Sequence, residues 1–299
     1  MTEEKKQNKK EIVKEVAESF FAHLKEKGLH PSPQQARKIA EKFAEAVTYH
    51  PKVGVFGKTG VGKSTLCNAI FGKDVAPVSD IGACTREPQK ILVGLTEDGD
   101  GITLLDVPGV GESKERDAEY AELYKSILPE LDIVLWVLKV DDRAFSVDEH
   151  FYKEIVLPCI KHIKTPILFV INQVDLIKPS KEWDIEHRQP SQKQQENIKE
   201  KIIYVSESFC IPKSKICTVS AEEHYGLIEL VEKIVRYLPD DKKYSITREA
   251  KEETVSEKAN KEAQKGLWET IKSYAEVVFK EAIPYIVEGI FRVIFKKWF

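Results

Sequence analysis

The sequence predicts an α/β protein with a mostly parallel six-stranded sheet, one strand of it antiparallel, and a helical domain drawn from the N- and C-terminal segments. Three observations predict it. Between residues 51 and 240, short apolar runs alternate with amphipathic stretches, the pattern of a parallel sheet covered by helices on both faces. Two of those runs, Ile91–Leu95 and Ile102–Val107, are joined only by Thr96-Glu97-Asp98-Gly99-Asp100-Gly101. That link is too short for a crossover, so the pair reads as an antiparallel hairpin. Outside this stretch, at both ends of the chain, the pattern is helical.

Residues 1–10 are nearly all polar and read as frayed. Apolar pairs then recur four apart: Ile12/Val13, Val16/Ala17, Phe20/Phe21, followed by Leu24 and a stop at Gly28. Ser32-Pro33 supplies an N-cap and a first-turn proline for a second helix carrying Ala36, Ile39/Ala40, Phe43/Ala44 and Val47. Residues 1–50 therefore predict a helical hairpin, and 51–240 a single α/β domain. Its strands are Val53–Phe56, Ile91–Leu95, Ile102–Val107, Ile133–Val140, Ile167–Ile171 and Ile216–Val219. Helices are expected near 63–71, 117–128, 147–164, 192–209 and 226–238. Residues 241–265 hold 13 charges and few large apolar groups, predicting a solvated linker or an exposed helix. Residues 266–299 hold 8 of the 27 aromatics and are helix-compatible on both sides of Pro284, which should kink or interrupt them.

Composition bounds the rest. A chain of 299 residues with 42% hydrophobic content has a sizeable core, which excludes global disorder. With 46 basic against 49 acidic side chains there is no global field to hold nucleic acid, and no DNA partner is expected. The 5 cysteines lack metal-ligand spacing and read as reduced thiols of a cytoplasmic protein. The charged N-terminus predicts no signal peptide, and no apolar run approaches the ~18 residues of a spanning helix.

The chemistry is concentrated at the strand–helix junctions. Gly57-Lys58-Thr59-Gly60-Val61-Gly62-Lys63-Ser64 matches G-x-x-x-x-G-K-[ST], follows a strand, and opens a helix through Thr65. Glycines let the backbone curl so that its N–H groups point at phosphate oxygens, and the helix N-terminus adds partial positive charge. Lys63 would neutralise charge between terminal phosphates, and the Ser64 hydroxyl would ligate Mg²⁺.

Three further elements follow in order. Asp106-Val107-Pro108-Gly109 ends the third run, where a carboxylate would reach a metal-bound water and the Gly109 N–H would sense a terminal phosphate. Asn172-Gln173-Val174-Asp175 ends the fifth, and the Asp175 carboxylate would accept from guanine N1–H and the 2-amino group, donors that adenine lacks there. Ser220-Ala221 ends the sixth, its Ala221 N–H suited to guanine O6.

With these residues in place, the chain resembles the Era-like, translation-factor-related class of P-loop GTPases over about residues 52–240. Its phosphate-loop stretch is also similar to septin-type and immunity-related GTPases. The resemblance implies a Ras-like domain, GTP and GDP as ligands, Mg²⁺ as cofactor, and Mg²⁺-dependent hydrolysis of GTP in a conformational switch. It implies a threonine closing over Mg²⁺; Thr85 is the candidate, with Ser79 the competing one further from the strand. Lys63, Thr85 and Gly109 would then be the catalytic set, and Ser64, Thr85 and Asp106 the metal set.

The chain departs from the family in three places. Gln173 stands where the base motif usually has lysine. Val110 stands where some relatives carry a water-orienting glutamine, so unaided hydrolysis should be slow. Gly60 replaces the asparagine of potassium-using relatives. Arg86 or Arg143 would offer a cation across a homodimer formed through the G domain.

The tail has two readings: packing against the N-terminal helices, or peripheral membrane contact through residues 282–299, whose last eight residues carry three basic side chains and no acidic one. A membrane-associated, self-assembling GTPase and a GTP-dependent binding module are the alternatives. RNA or ribosome contact enters only by analogy with the family.

Overall fold

The computed structural model describes residues 32–72, 89–93, 102–106, 125–142, 145–160 and 164–279, with isolated positions between 18 and 30 and at 122. The first predicted helix lies largely outside the described residues, as do Ser79, Thr85, Arg86, Gly109, Val110, Arg143 and the tail 280–299.

Helix α1 (Pro33–Thr48) starts as its sequence requires. The Ser32 hydroxyl accepts from the Gln35 N–H while Gln35 reaches back to the Ser32 N–H, a capping box reinforced by Pro33. The chain then enters β1 (Lys52–Phe56) and, through the phosphate loop, α2 (Lys63–Phe71). Strands β2 (Gln89–Val93), β3 (Ile102–Asp106), β4 (Ile133–Lys139), β5 (Ile167–Asn172) and β6 (Ile216–Thr218) complete a sheet in the order β2-β3-β1-β4-β5-β6. β2 runs antiparallel to β3, and the other neighbours are parallel.

Strands β1, β4 and β5 are buried on both faces, and β4 shows why its sequence is apolar throughout. Ile133, Leu135 and Val137 join one core cluster, and Val134, Trp136 and Leu138 the other. On the first face lie α2 and α6 (Leu227–Tyr237). On the second lie α3 (Ser146–Phe151), a π turn (Tyr152–Val156), α4 (Leu157–Ile160) and α5 (Gln192–Phe209), with Trp136 stacked on Phe169 at 5.8 Å. The single helix read over 147–164 is thus broken by a π turn where Tyr152 and Val156 are buried.

The charge-rich stretch is helical and partly buried. Helices α7 (Asp240–Glu249) and α8 (Glu257–Phe279) send Ile246, Ala259 and Ala263 into the first core, and Lys243 and Arg248 are largely covered as well. The segment is thus neither a solvated linker nor a fully exposed helix. Leu267, Trp268, Ile271 and Ala275 of α8 are buried, and α8 packs on α1, α6 and α7.

The terminal helices are fixed to the strand-start end of the sheet. Asp132, with a side chain only 1% exposed, accepts from Tyr49 Oη at 2.9 and 3.0 Å, from the Lys52 N–H at 2.8 Å, and from Lys242 Nζ of α7. Arg248 of α7 donates to the carbonyls of Val47 and Tyr49, closing the C-terminus of α1. Among the described residues, no helix is long and apolar enough to cross a membrane.

Candidate functional site

The site forms where β1, β4, β5 and β6 end. Two phosphate-loop glycines are required on steric grounds. Gly57 has φ 142°, and a Cβ there would lie 2.3 Å from the Val137 carbonyl oxygen. Gly62 has φ 85°, and a Cβ would lie 2.5 Å from Asn172 Nδ2. With the turn so drawn in, Gly62 caps α2, leaving the N–H groups of that helix's first turn at the mouth of the loop.

Lys63 arcs back over the loop and donates to the carbonyls of Gly57 at 3.0 Å and Lys58 at 3.2 Å. The half-buried Ser64 hydroxyl has no hydrogen-bond partner among the described residues. Asp106, the last residue of β3, stands in register with Val55, so its backbone lies beside the strand that feeds the phosphate loop.

Asn172 joins three loops. Its Nδ2 donates to the Val61 carbonyl at 2.9 Å and to that of Gly62 at 3.4 Å, while its Oδ1 accepts from the Ala221 N–H at 3.1 Å. The Asn172 amide, expected to touch ligand, is engaged by protein on both sides and clamps the loops together. Ala221 N–H, expected at guanine O6, is donated to Asn172, and reaching a base would require that bond to be shared.

Gln173 takes a left-handed conformation (φ 61°) and donates from Nε2 to the Gly60 carbonyl at 3.3 Å. It thereby bridges base loop and phosphate loop without the usual lysine charge. The Ser220 hydroxyl accepts from the Glu223 N–H at 3.2 Å, and its backbone pairs with Tyr225, fixing the loop after β6. Lys58 points toward α3, and Thr59 and Gly60 form the exposed tip of the loop. Thr65 continues α2 from the loop.

Asp175 differs from all of these. Its Oδ1 is buried and has no hydrogen-bond donor among the described residues. A buried acceptor without a donor is costly, and such exceptions in native folds call for a missing partner.

Sequence reasoning missed Asp148, whose carboxylate meets Lys58 of the phosphate loop at 2.6 Å, and the Trp183–Tyr225 edge contact at 5.6 Å that braces the loops after β5 and β6. Neither belongs to a motif. Among the described residues no three His, Cys, Asp or Glu side chains cluster as a metal site would.

Residues 52–173 match the family described as 50S ribosome-binding GTPase. The chain is 44% identical over 205 residues to the uncharacterized protein YkfA of Escherichia coli (strain K12), covering 68% of each chain. It is 41% identical over 204 residues to the uncharacterized protein YfjP of the same organism, again covering 68% of each. Among solved structures it is similar to Era in complex with MgGDPNP and a segment of 16S ribosomal RNA, at 29% identity and a TM-score of 0.46. That likeness covers 63% of this chain and 57% of the other.

Proposed function

The chain belongs to the P-loop GTPases, and from that premise we propose that it binds guanine nucleotide with Mg²⁺ and hydrolyses GTP to GDP and phosphate as a nucleotide-dependent switch. The observation that carries the guanine reading is the buried, donorless Oδ1 of Asp175, at the end of β5 in the base motif. Guanine presents two donors, N1–H and the 2-amino group, that a carboxylate accepts together; adenine presents neither in that place.

On binding, Lys63 would exchange the carbonyls of Gly57 and Lys58 for phosphate oxygens, a move its present hydrogen bonds make short. Ser64 and Asp106, joined by Thr85, would hold the metal, and the Ser64 hydroxyl, which has no partner among the described residues, fits that role. Bound Mg²⁺ supplies charge neutralisation between the terminal phosphates. Catalysis then rests on positioning and electrostatics, with Lys63 and the loop amides stabilising charge on the transferred phosphoryl group and no covalent intermediate.

The deciding experiment is Asp175→Asn, read by titration with GTP and with xanthosine triphosphate. The proposal expects GTP affinity to fall and the xanthine nucleotide, whose 2-oxo group accepts where guanine donates, to gain. Unchanged preference would refute the base assignment.

A second reading rests on Val110, which cannot orient water: hydrolysis is slow in the isolated chain and rises when a second copy supplies the missing group. Turnover per molecule measured against protein concentration, with and without anionic vesicles, decides it. A flat rate in every condition removes both the self-assembly and the membrane-stimulated versions. The membrane version rests on the composition of residues 282–299, and ribosome contact rests on the family's description.

A further inference from the structure

Lys58, the second residue of the phosphate loop, is held by a residue that no motif marks. Its Nζ lies 2.6 Å from Oδ2 of Asp148 and 3.8 Å from Oδ2 of Asp142. The Asp148 side chain is 1% exposed, against 27% for Lys58. The contact is a short ion pair to a buried carboxylate. Burial pushes the Asp148 carboxyl above its usual range, Lys58 pulls it back, and neighbouring Asp142 adds to the rise. Lys58 is therefore the cation on which the charge of a buried acid depends.

The backbone of the same residue serves the phosphate site. Lys63 Nζ rests on the carbonyls of Gly57 and Lys58, so one of its two acceptors belongs to the residue whose side chain is tied to α3. The far side of the tie is itself braced. Asp142 follows β4, its carbonyl accepts from Lys201 Nζ of α5, and Lys201 lies 4.4 Å over the Phe145 ring. The loop is thus pinned at one end by Asn172 through Val61 and Gly62, and at the other by Asp148 through Lys58.

We infer that Asp148, acting through Lys58, is a positioning residue for phosphate: it holds the first half of the loop against α3 so that the loop amides are set before a nucleotide arrives. The inference rests on the reading that this loop binds a nucleotide. A loop released from α3 would have to be ordered during binding, and that cost falls on the phosphates cradled by the loop. Recognition of the base through Asp175 lies on another loop and is spared.

Binding of GDP and GMP to the full chain by calorimetry tests this in three proteins: the natural sequence, Asp148→Asn, and the double variant Lys58→Met/Asp148→Leu. The double variant replaces the buried pair with apolar groups, so it retains a stable fold even if the single variant does not. In both variants GDP affinity is expected to fall roughly tenfold while GMP affinity stays within about twofold, the scale of coupling between residues in contact. Restored GDP affinity in the double variant would reduce the pair to packing and overturn the inference, as would equal losses for GDP and GMP. Equal binding of ADP and GDP by the natural sequence would instead refute the guanine reading and leave the phosphate inference standing. Absence of any GDP binding would refute both.

Discussion

At the end of the sheet where the strands begin, Asp132 accepts from Tyr49, from the Lys52 N–H and from Lys242, and its side chain is sealed at 1% exposure. At the end where the strands finish, Asp175 keeps a buried oxygen with no donor among the described residues, and Asp148, its side chain 1% exposed, has Lys58 as its ion-pair partner. These are carboxylates of the same fold in opposite conditions. A fully paired buried charge fixes structure; an unpaired one is a standing cost that folding alone does not explain. The lower end is finished, joining the terminal helices to the sheet. The upper end gathers the loops that the proposed function assigns to the nucleotide.

Breaking the finished end should have the largest effect. Asp132→Ala strands the Lys52 N–H, the Tyr49 hydroxyl and Lys242, and is expected to destabilise the fold by about 3–5 kcal/mol in urea unfolding. GDP affinity of the remaining folded protein should be unchanged. A large affinity loss at full stability would reverse the roles of the two ends.

Asn172→Ala comes next, because it removes a buried clamp rather than a ligand contact. It should cost about 2–3 kcal/mol of stability by leaving buried partners unpaired, and weaken nucleotide binding at the same time. Intact stability with lost binding would mean that Asn172 is chiefly a ligand residue after all.

A third effect belongs to the sheet between the ends. Burial pushes the Cys217 thiol up to about 11, although Lys233 draws it down. Its folded value lies above the unfolded one, so its stabilising contribution is complete below the unfolded value and is lost as pH rises from about 9 toward 11. At pH 10 this amounts to about 1 kcal/mol, visible as a fall in urea midpoint that Cys217→Ala flattens. In alkylation at neutral pH, exposed Cys210 should be modified well before Cys217. The smallest change is Gln173→Lys, which turns a neutral hydrogen bond to the Gly60 carbonyl into a charged one and should raise nucleotide affinity roughly 2–5-fold.

What could be read in advance divides along the same line. The phosphate loop was legible because its geometry is local: the glycines permit the turn, and the strand before and helix after it lie within a few residues. The base motif was legible as a residue type at a strand end. The partners of Asp132 were not, since Tyr49, Lys52 and Lys242 come from segments about 80 to 110 residues away in sequence. Asp148 was hidden for the same reason, sitting in what looked like an ordinary amphipathic helix.

The 241–265 segment misled through composition. Its 13 charges dominate the pattern, while the residues that bury it are a lone isoleucine and small alanines: Ile246, Ala259 and Ala263. The clamp role of Asn172 was also out of reach, because a side-chain amide offers the same donors and acceptors to a base and to a backbone.

The most direct test of the account is calorimetric titration of the full chain with GDP and with ADP, each with Mg²⁺. The account predicts one GDP site, and ADP weaker by at least roughly a hundredfold, the worth of two hydrogen bonds to a charged acceptor. Comparable affinity for the two nucleotides would contradict it, leaving the buried oxygen of Asp175 unexplained.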